Sequence, residues 1–86
     1  MSERIRLCVC GAAGRMGREV VRAVTESGDI ELVCAIDRSD SGSDAGVLAG
    51  IRPLGVTISA DLGSSLAKAK PGVLVDRTEL GRERVL

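Results

Sequence analysis

The 86 residues are enough for one small domain, a size that buries only about 60–65% of its unfolded surface. Twelve Lys and Arg balance twelve Asp and Glu, and the arginines are scattered along the chain. This argues against a nucleic-acid partner, which calls for a basic excess. Phe, Tyr, Trp and His are all absent, so no bound base can stack on an aromatic ring and no histidine can serve acid–base or metal chemistry in this chain.

Residues 5–10, IRLCVC, read as a strand. The run is nearly continuous in apolar residues, as in a parallel sheet buried on both faces. Cys8 and Cys10 fit there as small apolar residues rather than as a metal pair. With Cys34 they make an odd number and no secretory signal precedes them, which predicts a reducing, cytoplasmic setting. The apolar run is too short for a signal peptide. Beyond it, Met16, Val20 and Val24 recur at helical spacing with Arg15, Arg18, Glu19, Arg22 and Glu26 on the other side. An amphipathic helix is predicted, supported by Arg15–Glu19 and Arg22–Glu26 pairs and stopped at Gly28.

Residues 32–36 predict a second strand, closed by Asp37. Residues 39–46, SDSGSDAG, have the composition of a flexible polar loop. Residues 47–50 suit one helical turn, and Pro53 and Gly55 bracket a loop before a third strand at 56–58. Asp61 can cap a helix running to about Ala69 with Leu62, Leu66 and Ala69 inward. A KPG turn leads to a fourth strand, residues 73–75, ended by Asp76, and residues 79–86 begin another helix. No stretch approaches the length needed to cross a membrane. Strands alternating with helices require right-handed crossovers. The predicted fold is α/β, a Rossmann-like parallel sheet of about four strands in the order 3-2-1-4 with helices on both faces.

The glycines between the first strand and first helix have distinct uses. Gly11 permits the tight turn, Gly14 lets a ligand approach the backbone, and Gly17 lets the helix press close. The helix N-terminus then offers unpaired N–H groups to a pyrophosphate. The spacing is G-x-x-G-x-x-G rather than G-x-G-x-x-G, and a turn made for packing alone remains the alternative. Asp37, at the end of the second strand, stands where an acid binds the adenosine ribose. Asp37 favours NAD; Arg38 can pair with the 2′-phosphate of NADP or cover the adenine face.

GAAGRMGREVVRAV, LVCAIDRS, GSDAGVLAG, GVTI and PGVLVD together resemble the N-terminal domain of the dihydrodipicolinate reductase family, over about residues 5–76. The resemblance implies an NADH- or NADPH-binding domain. In it Gly11, Ala12, Ala13, Gly14, Arg15, Met16 and Gly17 form and flank the pyrophosphate turn, Asp37 takes the ribose hydroxyls, and Arg38 takes the 2′-phosphate or adenine. It also implies hydride transfer to a cyclic imine-type dicarboxylate in lysine and diaminopimelate synthesis. Two departures stand out. The family's DFT after the fourth strand is DRT here, with Arg77 near the nicotinamide side. The family's GTT segment and H-H-x-x-K-x-D-x-P-S-G-T motif are absent. Residues 1–86 are therefore expected to be an incomplete cofactor-binding domain without the catalytic and oligomerisation domain, and inactive alone. Its expected partner is the dinucleotide, joined by a separate C-terminal catalytic chain in one reading. A stand-alone nucleotide-binding module or inactive fragment is the other.

Overall fold

Ile5–Cys10 forms β1, an inner strand of the sheet, in a computed structural model that describes residues 4–77. The order continues with α1 (Arg15–Glu26), β2 (Ile30–Ile36), α2 (Ala45–Leu48), β3 (Ile58–Ser59), α3 (Leu62–Ala69) and β4 (Val73–Asp76). The four strands are all parallel and lie in the order β3-β2-β1-β4. Val21 and Val24 of α1 and Ala45 of α2 pack with Leu7, Val9, Leu32 and Ala35 on one face. Leu66 and Ala69 of α3 pack against Cys8, Cys10, Cys34, Ile36 and Leu74 on the other. The expected α/β sheet with helices on both faces is thus present. The expected helix at residues 79–86 lies outside the described residues.

One irregularity sets the phase of β2. Leu7 pairs with Leu32, but its neighbour Cys8 pairs with Cys34. Val33 is the extra residue, a bulge of a kind rare between parallel strands. It places Val33 and Cys34 on the α3 face in succession, after which alternation resumes with Ala35 on the α1 face and Ile36 opposite. Cys8, Cys10 and Cys34 therefore share one buried face. Burial first, then the neighbouring Cys34 and Cys10, push the Cys8 thiol well above its ordinary range. It is a protonated packing group, as its strand position suggested.

Several boundaries differ from the sequence expectation. β2 starts at Ile30 because Ile30 and exposed Glu31 extend the register to Ile5 and Arg6. α1 ends through Ser27, whose N–H reaches the Ala23 and Val24 carbonyls with an ordinary negative φ, so Gly28 is not a left-handed stop. β3 is confined to Ile58–Ser59, because the backbone before it turns to the 43–45 segment: Ala45 donates to Val56 and Ile58 to Ser43. Leu62 is not inward but 42% exposed.

The polar loop is organised rather than flexible, and Asp44 organises it. Its carboxylate accepts N–H bonds from Gly46 (2.8 Å), Val47 (3.0 Å), Leu54 (3.0 Å to Oδ2) and Gly55 (2.8 Å). Capping by Asp44 moves the helical turn from the expected residues 47–50 to Ala45–Leu48. The Leu54 bond, followed by those of Val47, Gly55 and Gly46, holds the carboxyl below its ordinary value of 3.8 against an opposing desolvation. A lowered folded-state value makes the ionised form stabilising. That stability is complete above pH 3.8 and is lost as pH falls through the lowered value. Asp44→Asn should therefore melt at lower temperature than the parent at pH 7, and the two curves of Tm against pH should converge in acid, as followed by circular dichroism.

Candidate functional site

The site is built where β1 ends and the chain reverses into α1. Gly11 adopts φ 79°, a left-handed conformation that side chains disfavour. Its N–H and that of Ala12 both donate to the Ile36 carbonyl, at 2.8 and 3.1 Å, which ties the turn to the end of β2. Ala13 N–H donates to Asp37 Oδ2 at 2.9 Å, and Gly14 N–H to the Gly11 carbonyl at 3.1 Å. The turn thus consumes its own donors. The first intrahelical bond of α1 runs from Arg18 N–H to the Gly14 carbonyl at 2.9 Å, and no side chain caps the helix. The N–H groups of Arg15, Met16 and Gly17 are consequently the open donors, at the positive end of the helix dipole.

Two glycines here differ in what the fold asks of them. A Cβ on Gly17 would stand 2.0 Å from the Gly11 carbonyl oxygen and 2.8 Å from Ala12 Cα, so this contact admits no side chain. A Cβ on Gly14 would meet that same oxygen at 3.4 Å, an ordinary contact, and Gly14 has φ −77°. The chain's own packing does not demand glycine at 14. An approaching ligand would.

Asp37 follows β2 and is half-buried. Oδ2 holds Ala13 and Oδ1 accepts from Ser39 N–H at 2.9 Å. An ionised carboxylate offers about four lone-pair sites, so capacity remains for hydroxyl donors. The Asp37 N–H in turn donates to the Ser59 carbonyl at 3.0 Å, stitching the ends of β2 and β3 together.

These groups border a cleft of about 820 Å³. Of the expected cofactor-binding residues, Gly11, Ala13, Gly14, Asp37 and Arg38 lie in its wall. Ala12 and Gly17 are buried in the turn's packing, and Arg15 and Met16 are exposed in the first turn of α1. Those four are expected site residues that the cleft wall does not include; they can serve only through their backbone or from its rim. Ala60 and Leu62, after β3, and Asp76 and Arg77, at the end of β4, also line it. Arg77 is anchored by its N–H to the Cys10 carbonyl at 2.7 Å. Sequence reasoning missed Ala60 and Leu62, and the misplaced inward reading of Leu62 hid them. Among the described residues no His, Cys, Asp or Glu cluster suits a metal ion, and no helix is long and apolar enough to cross a membrane.

A family model described as dihydrodipicolinate reductase, N-terminus, matches residues 5–81. The 4-hydroxy-tetrahydrodipicolinate reductase of Moorella thermoacetica is 49% identical over 78 residues, covering 91% of this chain and 29% of that protein. The Synechocystis enzyme of the same name is 48% identical over 80 residues, again 29% of its length. A solved dihydrodipicolinate reductase from Paenisporosarcina sp. TG-14, with dipicolinate bound, aligns with TM-score 0.66 and 32% identity over 87% of this chain and 29% of that one. The chain therefore spans about 29% of the length of these relatives.

The contrast between the two glycines gives a stability test. Gly17→Ala should cost about 1–3 kcal/mol, as overpacking does. Gly14→Ser should cost less than about 0.5 kcal/mol, because serine is a good N-cap. Urea unfolding of both variants beside the parent measures the difference.

Proposed function

We propose that this chain, which belongs to the family of dihydrodipicolinate reductase N-terminal domains, binds the NADH or NADPH of a 4-hydroxy-tetrahydrodipicolinate reductase. One observation carries the reading: an uncapped first turn of α1 stands beside a glycine the fold does not need, with the Asp37 carboxylate across the turn. In this reading the N–H groups of Arg15, Met16 and Gly17 hold the pyrophosphate, and the missing side chain of Gly14 lets it come close. Gly11, Ala12 and Ala13 give the turn its shape. Asp37 accepts the adenosine ribose hydroxyls on the lone pairs that Ala13 and Ser39 leave. Arg38, an exposed residue of the cleft wall, meets the 2′-phosphate of NADPH or the adenine face.

The bound cofactor supplies the hydride, and this chain's residues bind and orient it. The acceptor is a cyclic imine-type dicarboxylate of the lysine and diaminopimelate route. Holding that acceptor and delivering a proton to the product are separate tasks. Positioning contributes about 7–11 kcal/mol in favourable cases, and a general acid about 10²–10⁴-fold. The 86 residues contain no histidine, and the two lysines, Lys68 and Lys70, are exposed at the end of α3. Neither task has an evident agent among them.

Two outcomes follow. In calorimetric titrations Arg38→Ala should cost NADPH about 1.5–3 kcal/mol, the worth of a charge-assisted bond, and NADH distinctly less. Gly14→Ser should weaken both, since its hydroxyl occupies the open donors while the fold survives; undiminished binding would overturn the placing of the pyrophosphate at this turn. Second, the 86-residue chain should show no substrate-dependent oxidation of NADH or NADPH when followed at the reduced-nicotinamide absorbance. Turnover by this chain alone would overturn the division of labour. Turnover only on adding a chain that carries the relatives' remaining length would support it over an inactive module.

A further inference from the structure

Resting on the dinucleotide reading above, we propose that Leu62, with Ala60 beside it, is the apolar wall on which the purine base of the cofactor lies, opposite the Arg38 guanidinium. A base needs flat, water-excluding contact on its faces, and this chain has no aromatic residue to provide it. Leu62 is the first residue of α3, at a spacing from Leu66 and Ala69 that would turn it inward. Leu66 and Ala69 do pack against the cysteine face of the sheet. Leu62 instead remains 42% exposed. Among the described residues the exposed large apolar ones are Ile5, Met16, Val47 and Leu62, and of these Leu62 alone stands in the wall of the cleft.

That exposure is fixed by the chain around it. Asp61 accepts the Ser64 N–H at 3.0 Å, and its own N–H donates to Ser59 Oγ at 3.1 Å. Both ends of the first turn of α3 are thereby held, so Leu62 is presented rather than frayed. The bond from Asp37 N–H to the Ser59 carbonyl keeps the segment after β2 beside the segment after β3. Arg38 follows one side of this stitch, and Ala60 and Leu62 follow the other. A base attached to a ribose on Asp37 falls between them. An arginine plane and an aliphatic surface suit an uncharged heteroaromatic ring, and burying Leu62 under it removes an apolar group from water.

The test titrates the full 86-residue chain with ADP and, separately, with inorganic pyrophosphate, read from amide shifts in ¹H–¹⁵N spectra. ADP carries the base; pyrophosphate reports on the glycine turn alone. Leu62→Ala should weaken ADP about three- to tenfold, the worth of partly burying the lost carbons, and should shift pyrophosphate affinity by less than about twofold. Leu62→Met, which keeps the apolar bulk, should bind ADP within about twofold of the parent. All three should share one Tm, since the side chain is exposed. Unchanged ADP affinity in Leu62→Ala overturns the inference while leaving the dinucleotide reading intact. A parallel loss of pyrophosphate also overturns it, because Leu62 would then act through the fold. If the parent binds neither probe, the dinucleotide reading fails and the inference falls with it.

Discussion

The approach of α1 to the Gly11 carbonyl is the contact on which the site depends. With 2.0 Å between that oxygen and any Cβ at Gly17, the helix can sit in this position only if residue 17 has no side chain. The close seating brings the first turn of α1 directly over the end of β1. It leaves the turn's donors pointing at partners already in place: the Ile36 carbonyl, the Gly11 carbonyl and Asp37. What remains unpaired is a short row of N–H groups at the start of the helix, those of Arg15, Met16 and Gly17. A looser helix would expose more backbone but aim none of it. This open row follows from the tightness of the packing, and glycine is the residue that permits it.

Carboxylates bonded to backbone N–H groups carry much of the loop structure. Asp37 fastens the glycine turn to the segment after β2, Asp44 gathers the 46–55 excursion, and Asp61 caps α3. Each works within its neighbourhood on donors that the sheet and helices leave unpaired. In a small domain with little apolar volume to spare, this gives loops a fixed shape without enlarging the core. Asp37 holds the turn from within the wall of the cleft, so one carboxylate belongs to both.

The sheet, its order and the glycine turn were legible in the sequence because they depend on local signals. Residues 5–10 are an apolar run broken only by Arg6 and residues 32–36 an unbroken one, and Gly11, Gly14 and Gly17 sit where the first run meets an amphipathic helix. The role of Asp44 was not legible, because its Leu54 and Gly55 partners are ten and eleven residues away. The SDAG sequence did hold a cap signal, an aspartate just before a helical turn, beneath a composition that suggests flexibility. Ile30 and Glu31 were missed as strand because a glutamate at the sheet's solvent end interrupts the apolar run. Leu62 was misplaced because spacing alone cannot tell a core-facing leucine from one facing a cleft. The Ala13–Asp37 bond spans a crossover, and no pattern along the chain announces it.

The bulge at Val33 makes β2 an element whose length can change without its end moving. Parity along a strand normally decides which face each residue meets, yet Leu32 and Cys34, two apart, lie on opposite faces while Cys34, Ala35 and Ile36 stay in step with Cys8, Val9 and Cys10. One surplus residue is absorbed at the bulge, and Asp37 still arrives beside Ala13. In an evolutionary comparison, chains lacking the residue at 33 can keep a regular ladder and an acid in the same place, so single-residue length variation in β2 should concentrate at this position. Residues 34–36 are each paired with β1 and offer no such slack.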